Sequence, residues 1–195
     1  MTKHTHKNTP SELRIIGGKF RSRKITFIEE NGLRPTHDRI RETLFNWLQN
    51  AIENSMCLDI FAGSGALGFE AISRGAKEVT FCDLSYAVMS HLKSNAEKLH
   101  INNAIFSRSD FMLENPVQNK QFDIVFCDPP FEKNLILATC ALLESRELLA
   151  ENAVIYLEFK KGTVDLHALP KNWTIQKHKS TQTLEYVLCQ KIKMI

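Results

Sequence analysis

The sequence predicts an α/β protein whose mostly parallel sheet is covered by helices on both faces, and three features carry that prediction. Runs such as "MCLDIF", "EVTFCD" and "FDIVFCD" are nearly all apolar, as strands buried on both faces must be. Segments with helical spacing alternate with them, as crossover connections between parallel strands require. The last two strand-like runs, "WTIQKHK" and "LEYVLCQKI", have no helix between them, so they form an antiparallel pair.

The elements follow in chain order. The start, "MTKHTHKNTP", is polar and lacks the apolar stretch of a secretory signal, so residues 1–12 are expected to be a flexible tail. "SELRIIGGKFRSRKITFI" alternates apolar and basic positions around Gly17-Gly18 and reads as a hairpin. "DRIRETLFNWLQNAI" places Ile40, Leu44, Leu48 and Ile52 on one helical face, with Asp38 as its N-cap. The core then begins: strand "MCLDIF", helix "GALGFEAISR", strand "EVTFCD", and helix "SYAVMSHLKSNAEKL" capped by Ser85. Strands "NAIFSR" and "FDIVFCD", helix "EKNLILATCALLES" and strand "AVIYLEF" precede the final pair. This gives one domain over 13–195: a basic hairpin and helix in 13–55, and a seven-stranded core in 56–195 whose last strand is antiparallel.

Composition narrows the functional classes. The longest apolar stretch, near "LILATCALL", is far short of the ~18 residues of a membrane span. Cys57, Cys82, Cys127, Cys140 and Cys189 are odd in number, lack C-x-x-C spacing and sit in apolar runs. They read as reduced, buried thiols of a cytoplasmic protein without a metal site. Charge is uneven: residues 1–41 hold ten Lys/Arg against four Asp/Glu, and the remainder fifteen against eighteen. Arg14, Lys19, Arg21, Arg23 and Lys24 fall in a stretch without acids. That concentration fits either a phosphate-rich partner, through counterion release, or a solvated basic arm.

"FAGSGALG" follows the first core strand and opens a helix. Gly63, Gly65 and Gly68 fit G-x-G-x-x-G, and Asp83 follows twenty residues after Gly63 at the end of the next strand. Such a loop lets the backbone approach a ligand while the carboxylate accepts ribose hydroxyls, so it indicates an adenosine cofactor in a Rossmann-like sheet without saying which. Asp59, Asp83, Asp110 and Asp128 all fall at or near strand carboxyl ends, where ligands bind in such sheets. Asp110 could accept from an adenine amino group, with Phe111 packing on the ring, or could simply cap the next turn.

"DPPF" has two readings as well. Asp128 as N-cap with proline at the first helical position would start a helix. Alternatively, Asp128 and a rigid carbonyl, such as that of Pro129, could hold the two hydrogens of an amino group on a nucleobase. The nitrogen lone pair, normally delocalised into the ring, would then point at a methyl donor. Pro130 stiffens the turn, and Phe131 offers a face for a flipped-out base.

These motifs, "IFAGSGALGFEAISRGA" and "DPPF" behind "RIIGG" and "LRPTHDRIRETLFNWL", resemble the RsmD family, bacterial enzymes that methylate guanine N2 in 16S ribosomal RNA with S-adenosylmethionine. The likeness runs from about Arg14 to near the C-terminus and implies a class I methyltransferase fold. It implies that Phe61, Gly63, Ser64 and Gly65 cradle the methionine part of the cofactor, that Asp83 holds the ribose and Asp110 the adenine edge. Asp59, Leu84 and Phe111 complete that set, and Asp128, Pro129, Pro130 and Phe131 form the catalytic turn. Arg34, Thr36 and Arg41 belong to the family's N-terminal block, where contact with the target entrance and docking of the helix are both open. Ser85 stands where the family often has a second acid. The expected partner is ribosomal RNA in the small subunit or its assembly intermediate, met by Arg14, Lys19, Arg21, Arg23, Lys24, Arg34 and Arg39. Enzymes methylating adenine N6 or cytosine N4 share the turn, and an NAD-dependent oxidoreductase shares the glycine loop but leaves Asp128–Phe131 without a role. A silent RNA-binding module would not need Asp128.

Overall fold

A computed structural model describes residues 11–28, 38–117 and 119–193. The chain opens with the antiparallel pair β1 (Ser11–Arg14) and β2 (Lys24–Phe27), so the hairpin forms as expected, with β1 starting inside the segment assigned to the tail. Helix α1 (Asp38–Trp47) stops short of Ile52, and Asp38 is its first residue rather than its cap. The core follows as β3 (Met56–Asp59), α2 (Ala66–Ser73), β4 (Glu78–Asp83), α3 (Tyr86–Lys98), β5 (Ala104–Arg108), β6 (Phe122–Cys127), α4 (Ile136–Ser145), β7 (Leu149–Lys160), β8 (Trp173–Ser180) and β9 (Leu184–Lys191).

Seven strands form one sheet in the order β5-β4-β3-β6-β7-β9-β8. The five from β5 to β7 are parallel, and β9 runs antiparallel between β7 and β8. The chain builds outward from β3 through β4 to β5, then returns to β6 on the other flank of β3. Carboxyl ends of β3 and β6 therefore diverge in connection at the centre of the sheet, which opens the crevice where α/β sheets bind ligands.

Two apolar layers cover the sheet. On one face Leu44 and Phe45 of α1, Leu67 and Phe69 of α2, and Val88 and Leu92 of α3 pack with Leu13, Ile15, Ile25 and Phe27 of the hairpin. On the other face Ile136, Cys140 and Leu143 of α4 pack against Val125, Cys127, Ile155 and Leu157. All five cysteines are buried and free, so each behaves as a small core hydrophobe. Burial pushes the Cys57 and Cys82 thiols up to about 12, which leaves them unreactive at neutral pH. No helix among the described residues is long and apolar enough to cross a membrane.

The hairpin is held by polar groups as well as by its apolar face. The fully buried Glu70 of α2 accepts the backbone N–H of Ile16 at 2.7 Å and of Gly17 at 2.8 Å, and its own helix supplies the Arg74 Nε at 2.7 Å. The Ser73 hydroxyl donates to the Gly17 carbonyl and accepts the Phe20 N–H. Gly18 has φ +74°, and a β-carbon there would sit 1.8 Å from the Ser73 carbonyl oxygen. This position needs glycine both for its left-handed backbone and for lack of room. Asn95 of α3 secures β2 by donating to the Thr26 carbonyl at 2.7 Å.

Candidate active site

Strands β3, β4 and β6 all end at the same rim of the sheet, and each is followed by a segment that turns over it. A cavity of about 600 Å³ lies there, lined by 59–64, 83–85, 109–112 and 128–133, with Ala66, Leu67 and Leu135. Its size suits an adenosine-containing ligand. Every sequence-predicted catalytic and cofactor residue lines it except Gly65. That glycine, at φ +77°, instead makes the turn into α2, where a β-carbon would meet Leu92 and Phe69 at 2.5 and 2.7 Å.

Asp83 organises the glycine loop. Its carboxylate accepts the Gly63 N–H at 3.0 Å and the Ser85 N–H at 2.8 Å, tying the loop after β3 to the turn after β4. The Ser85 hydroxyl then accepts the Val88 N–H at 3.3 Å and caps α3. A serine at this departure from the family pattern is thus explained by capping. Asp59 is buried beneath the loop and accepts the Gly68 N–H at 3.0 Å, which fixes the first turn of α2. Burial pushes its carboxyl up to about 7, against the opposing effect of the Gly68 N–H and with a smaller push from Asp83. Gly68 serves close packing, since a β-carbon would lie 2.2 Å from the Phe81 ring of β4.

On the next segment, one Asp110 oxygen accepts the Met112 N–H at 2.9 Å, so this residue caps its turn while also lining the cavity. Phe111 is nearly buried, with the Arg146 guanidinium 5.0 Å over its ring and donating to its carbonyl at 2.6 Å. Leu84, by contrast, is largely exposed at the mouth. Phe61 is half-buried, and the buried Ser64 hydroxyl accepts the Ala66 N–H at 3.3 Å.

The Asp-Pro-Pro-Phe turn is not a helix cap. A 3-10 turn, Phe131–Lys133, begins after Pro130, Asn134 adopts a left-handed φ of 48°, and α4 starts only at Ile136 behind Leu135. Asp128 is thus eight residues ahead of the helix that it was a candidate to cap. Asp128 and Phe131 are half-buried and Pro129 is buried, all against the cavity that Asp83 and Gly63 line. This arrangement places a carboxylate, a conformationally fixed carbonyl and an aromatic ring together beside a nucleotide-sized space.

Among the basic candidates, Arg14, Lys19, Arg21, Arg23, Lys24 and Arg39 are exposed, and Arg34 and Thr36 lie outside the described residues. Lys24 pairs with Glu12 at 2.6 Å. Lys19 donates its N–H to the Ser73 carbonyl at the C-terminal end of α2. The hairpin loop therefore sits at the end of the sheet opposite the cavity, about 12 Å away along an eight-residue helix. Arg41 is buried: Nη2 donates to the Arg14 carbonyl at 3.0 Å and to Asp38 at 2.6 Å, while Nε and Nη1 have no hydrogen-bond partner among the described residues. Of its two open roles, this contact supports docking of α1.

Two features escaped sequence reasoning. Glu70, with Ser73 and Arg74 one turn on, has the pattern of a solvated helix charge, and it is buried only because the hairpin packs over α2. Tyr156 and Glu158 form a buried pair, the hydroxyl donating to the carboxylate at 2.6 Å, on the strand beside the Asp128–Phe131 turn. Burial pushes Glu158 up to about 7, with the Tyr156 hydroxyl opposing.

Known proteins agree with this geometry. Residues 13–190 match the family described as "Conserved hypothetical protein 95". The Haemophilus influenzae protein named ribosomal RNA small subunit methyltransferase D is 44% identical over 94% of this chain and 96% of its own. Its Escherichia coli K12 namesake is 41% identical over 98% of this chain and 96% of its own. The solved structure of the putative methyltransferase yhhF from Escherichia coli superposes with a TM-score of 0.86 at 42% identity, covering 93% of this chain and 99% of that one. Likeness at this level over nearly the whole length, in sequence and in fold, makes the chain a member of the RsmD family of methyltransferases.

Proposed function

We propose that the protein methylates the exocyclic N2 of a guanine in 16S ribosomal RNA, with S-adenosylmethionine as donor. The observation that carries this reading is the shared cavity: the Asp128–Phe131 turn lines the same space as Gly63 and Asp83. The residues present fit the donor. Gly63, Ser64 and Phe61 would hold its methionine part, Asp83 its ribose hydroxyls, and Asp110 its adenine edge. When bound, the donor supplies a methyl group activated by a positively charged sulfur.

The remaining steps belong to the chain. The Asp128 carboxylate and a carbonyl of the proline pair accept the two N–H bonds of the guanine amino group. Holding both directs the nitrogen lone pair out of ring conjugation and toward the methyl, and the carboxylate stabilises the ammonium charge that develops. Asp128 can take the released proton after transfer, so no prior deprotonation is needed. Phe131 stacks on the extruded base, and Pro129 and Pro130 limit backbone motion at the reacting centre. Ribosomal RNA as substrate is supported by the names of relatives over 40% identical, and guanine N2 by the family's pattern of motifs. Its place of action is then the cytoplasm.

Nucleoside analysis by mass spectrometry of small-subunit RNA from cells lacking the protein tests the reading. One N2-methylguanosine should disappear and return with the restored gene. An unchanged guanosine profile, or loss of a methylated adenosine or cytidine, would overturn it.

A further inference from the structure

We propose that Lys160, Lys177 and Lys179 form an RNA-phosphate contact beside the catalytic turn, an inference that rests on the RNA-methylating reading above. It starts from an irregularity in the edge strand. Strand β8 pairs with β9 as Ile175↔Cys189, but then as Lys177↔Leu188 and Lys179↔Tyr186, so one residue is skipped between Ile175 and Lys177. Such a bulge reverses the alternation of side chains. Without it Lys177 and Lys179 would share the face of Cys189 and Val187, which belongs to the α4 layer. With it they share the face of Tyr186 and Leu188, which belongs to the α1 layer. Lys160 of β7 pairs with Leu184 and projects to that same face.

Charge and position both fit a phosphate backbone. All three lysines are exposed. The acid of this hairpin, Glu185, lies opposite Ser180 on the other face, where it takes His178 at 2.9 Å and leaves the lysine face without it. Glu158, the acid of β7 on the lysine face, is buried against Tyr156. An aromatic support lies between the lysines: Tyr186 stacks on Trp47 of α1 at 5.6 Å, and the Lys179 ammonium lies 5.8 Å over the Trp47 ring. Both rings pack into the α1 layer, so they hold the lysine side chains in place rather than offer a face to a base.

The parallel register Cys127↔Leu157 puts Lys160 at the same end of the sheet as Asp128. Three strand spacings separate β6 from β8, or about 14 Å, so a strand entering the cavity passes this surface. Lys19, Arg21 and Arg23 lie at the opposite end of α2, away from the rim where the strands end, so a strand entering the cavity at that rim does not pass them. They suit a remote contact on a large particle.

The test uses full-length protein with small ribosomal subunits purified from cells lacking it, and K177E/K179E beside the neutral K177Q/K179Q. Expected for K177E/K179E are an at least tenfold rise in KM for subunits near 0.1 M salt and an unchanged kcat and donor affinity. The slope of log affinity against log salt should become shallower by about 1.4, the value for two phosphate contacts on single-stranded RNA. The glutamine pair should show the same slope change with a smaller loss, and matching melting temperatures exclude misfolding. Wild-type affinity and slope in both variants would overturn the lysine contact while leaving the methylation reading intact. A loss with an unaltered salt slope would overturn it as a packing effect. A loss on subunits but none on protein-free ribosomal RNA would overturn it in favour of a protein partner. Failure of the wild-type protein to bind either substrate would overturn the underlying reading itself.

Discussion

Replacing Asp59 with asparagine should remove one pH-dependent contribution to folding stability. The carboxyl is buried under the glycine loop with a pKa of about 7, against 3.8 for an unperturbed aspartate. Between those values the folded protein binds a proton that the unfolded chain has released, so folding stability falls as pH rises. Its contribution is fully present below pH 4 and is lost by the time pH has passed 7. A separation of roughly three pKa units corresponds to about 4 kcal/mol. Asparagine keeps a carbonyl oxygen for the Gly68 N–H and carries no charge, so whatever its fixed cost in amide packing, that cost does not vary with pH. Urea denaturation of both proteins at intervals from pH 4 to pH 8 gives the difference directly, because titrations common to both, Glu158 included, cancel. The variant should gain on the wild type by about 4 kcal/mol over that range. A difference independent of pH would refute the claim that burial rather than pairing governs Asp59.

Other perturbations separate the roles assigned to neighbouring residues. Asp83→Ala removes the acceptor of the Gly63 and Ser85 N–H groups, and calorimetric titration with S-adenosylmethionine should show at least a hundredfold weaker binding. Glu70→Ala strands the partly buried Ile16 and Gly17 N–H groups and should cost about 2–6 kcal/mol by denaturant unfolding, since unpaired donors cost about 1–3 kcal/mol each. A loss under 1 kcal/mol would mean that the hairpin is held by its apolar face alone. R21E/R23E should weaken subunit binding more modestly than K177E/K179E and leave donor binding untouched; no change would remove the hairpin loop from the interface.

How far the sequence is legible depends on the range of the interactions involved. The strands "MCLDIF", "EVTFCD", "FDIVFCD" and "AVIYLEF" announce themselves by nearly continuous apolar runs, and their parallel order follows from the helices that alternate with them. The glycine loop, Asp83 and the Asp-Pro-Pro-Phe turn are local signals, and the sheet brings them to one rim as the strand-end rule requires. Where helices begin is harder to see. "EKNLILATC" has helical composition from Glu132, yet a left-handed Asn134 delays α4 to Ile136. That delay takes Asp128 out of the position that caps α4. Long-range contacts leave still less trace: nothing local tells that Gly18 abuts Ser73, that Glu70 is a buried acceptor, or that Arg41 turns inward. The bulge after Ile175 is invisible as well, because "TIQKHK" alternates well enough to hide a change of face. Gly65, read as part of the cradle, is the N-cap of α2, and a helix N-terminus and a ligand loop call for the same residue type.

The proposed function turns on one residue, Asp128, which in that reading acts on the transferred group's acceptor and not on the donor. Parallel measurement of methyl transfer to small subunits and of S-adenosylmethionine affinity in Asp128→Ala addresses this most directly. Turnover should fall by a factor of about 10³ or more, with donor affinity within about threefold of wild type. Equal losses in both, or near-normal turnover, would contradict it.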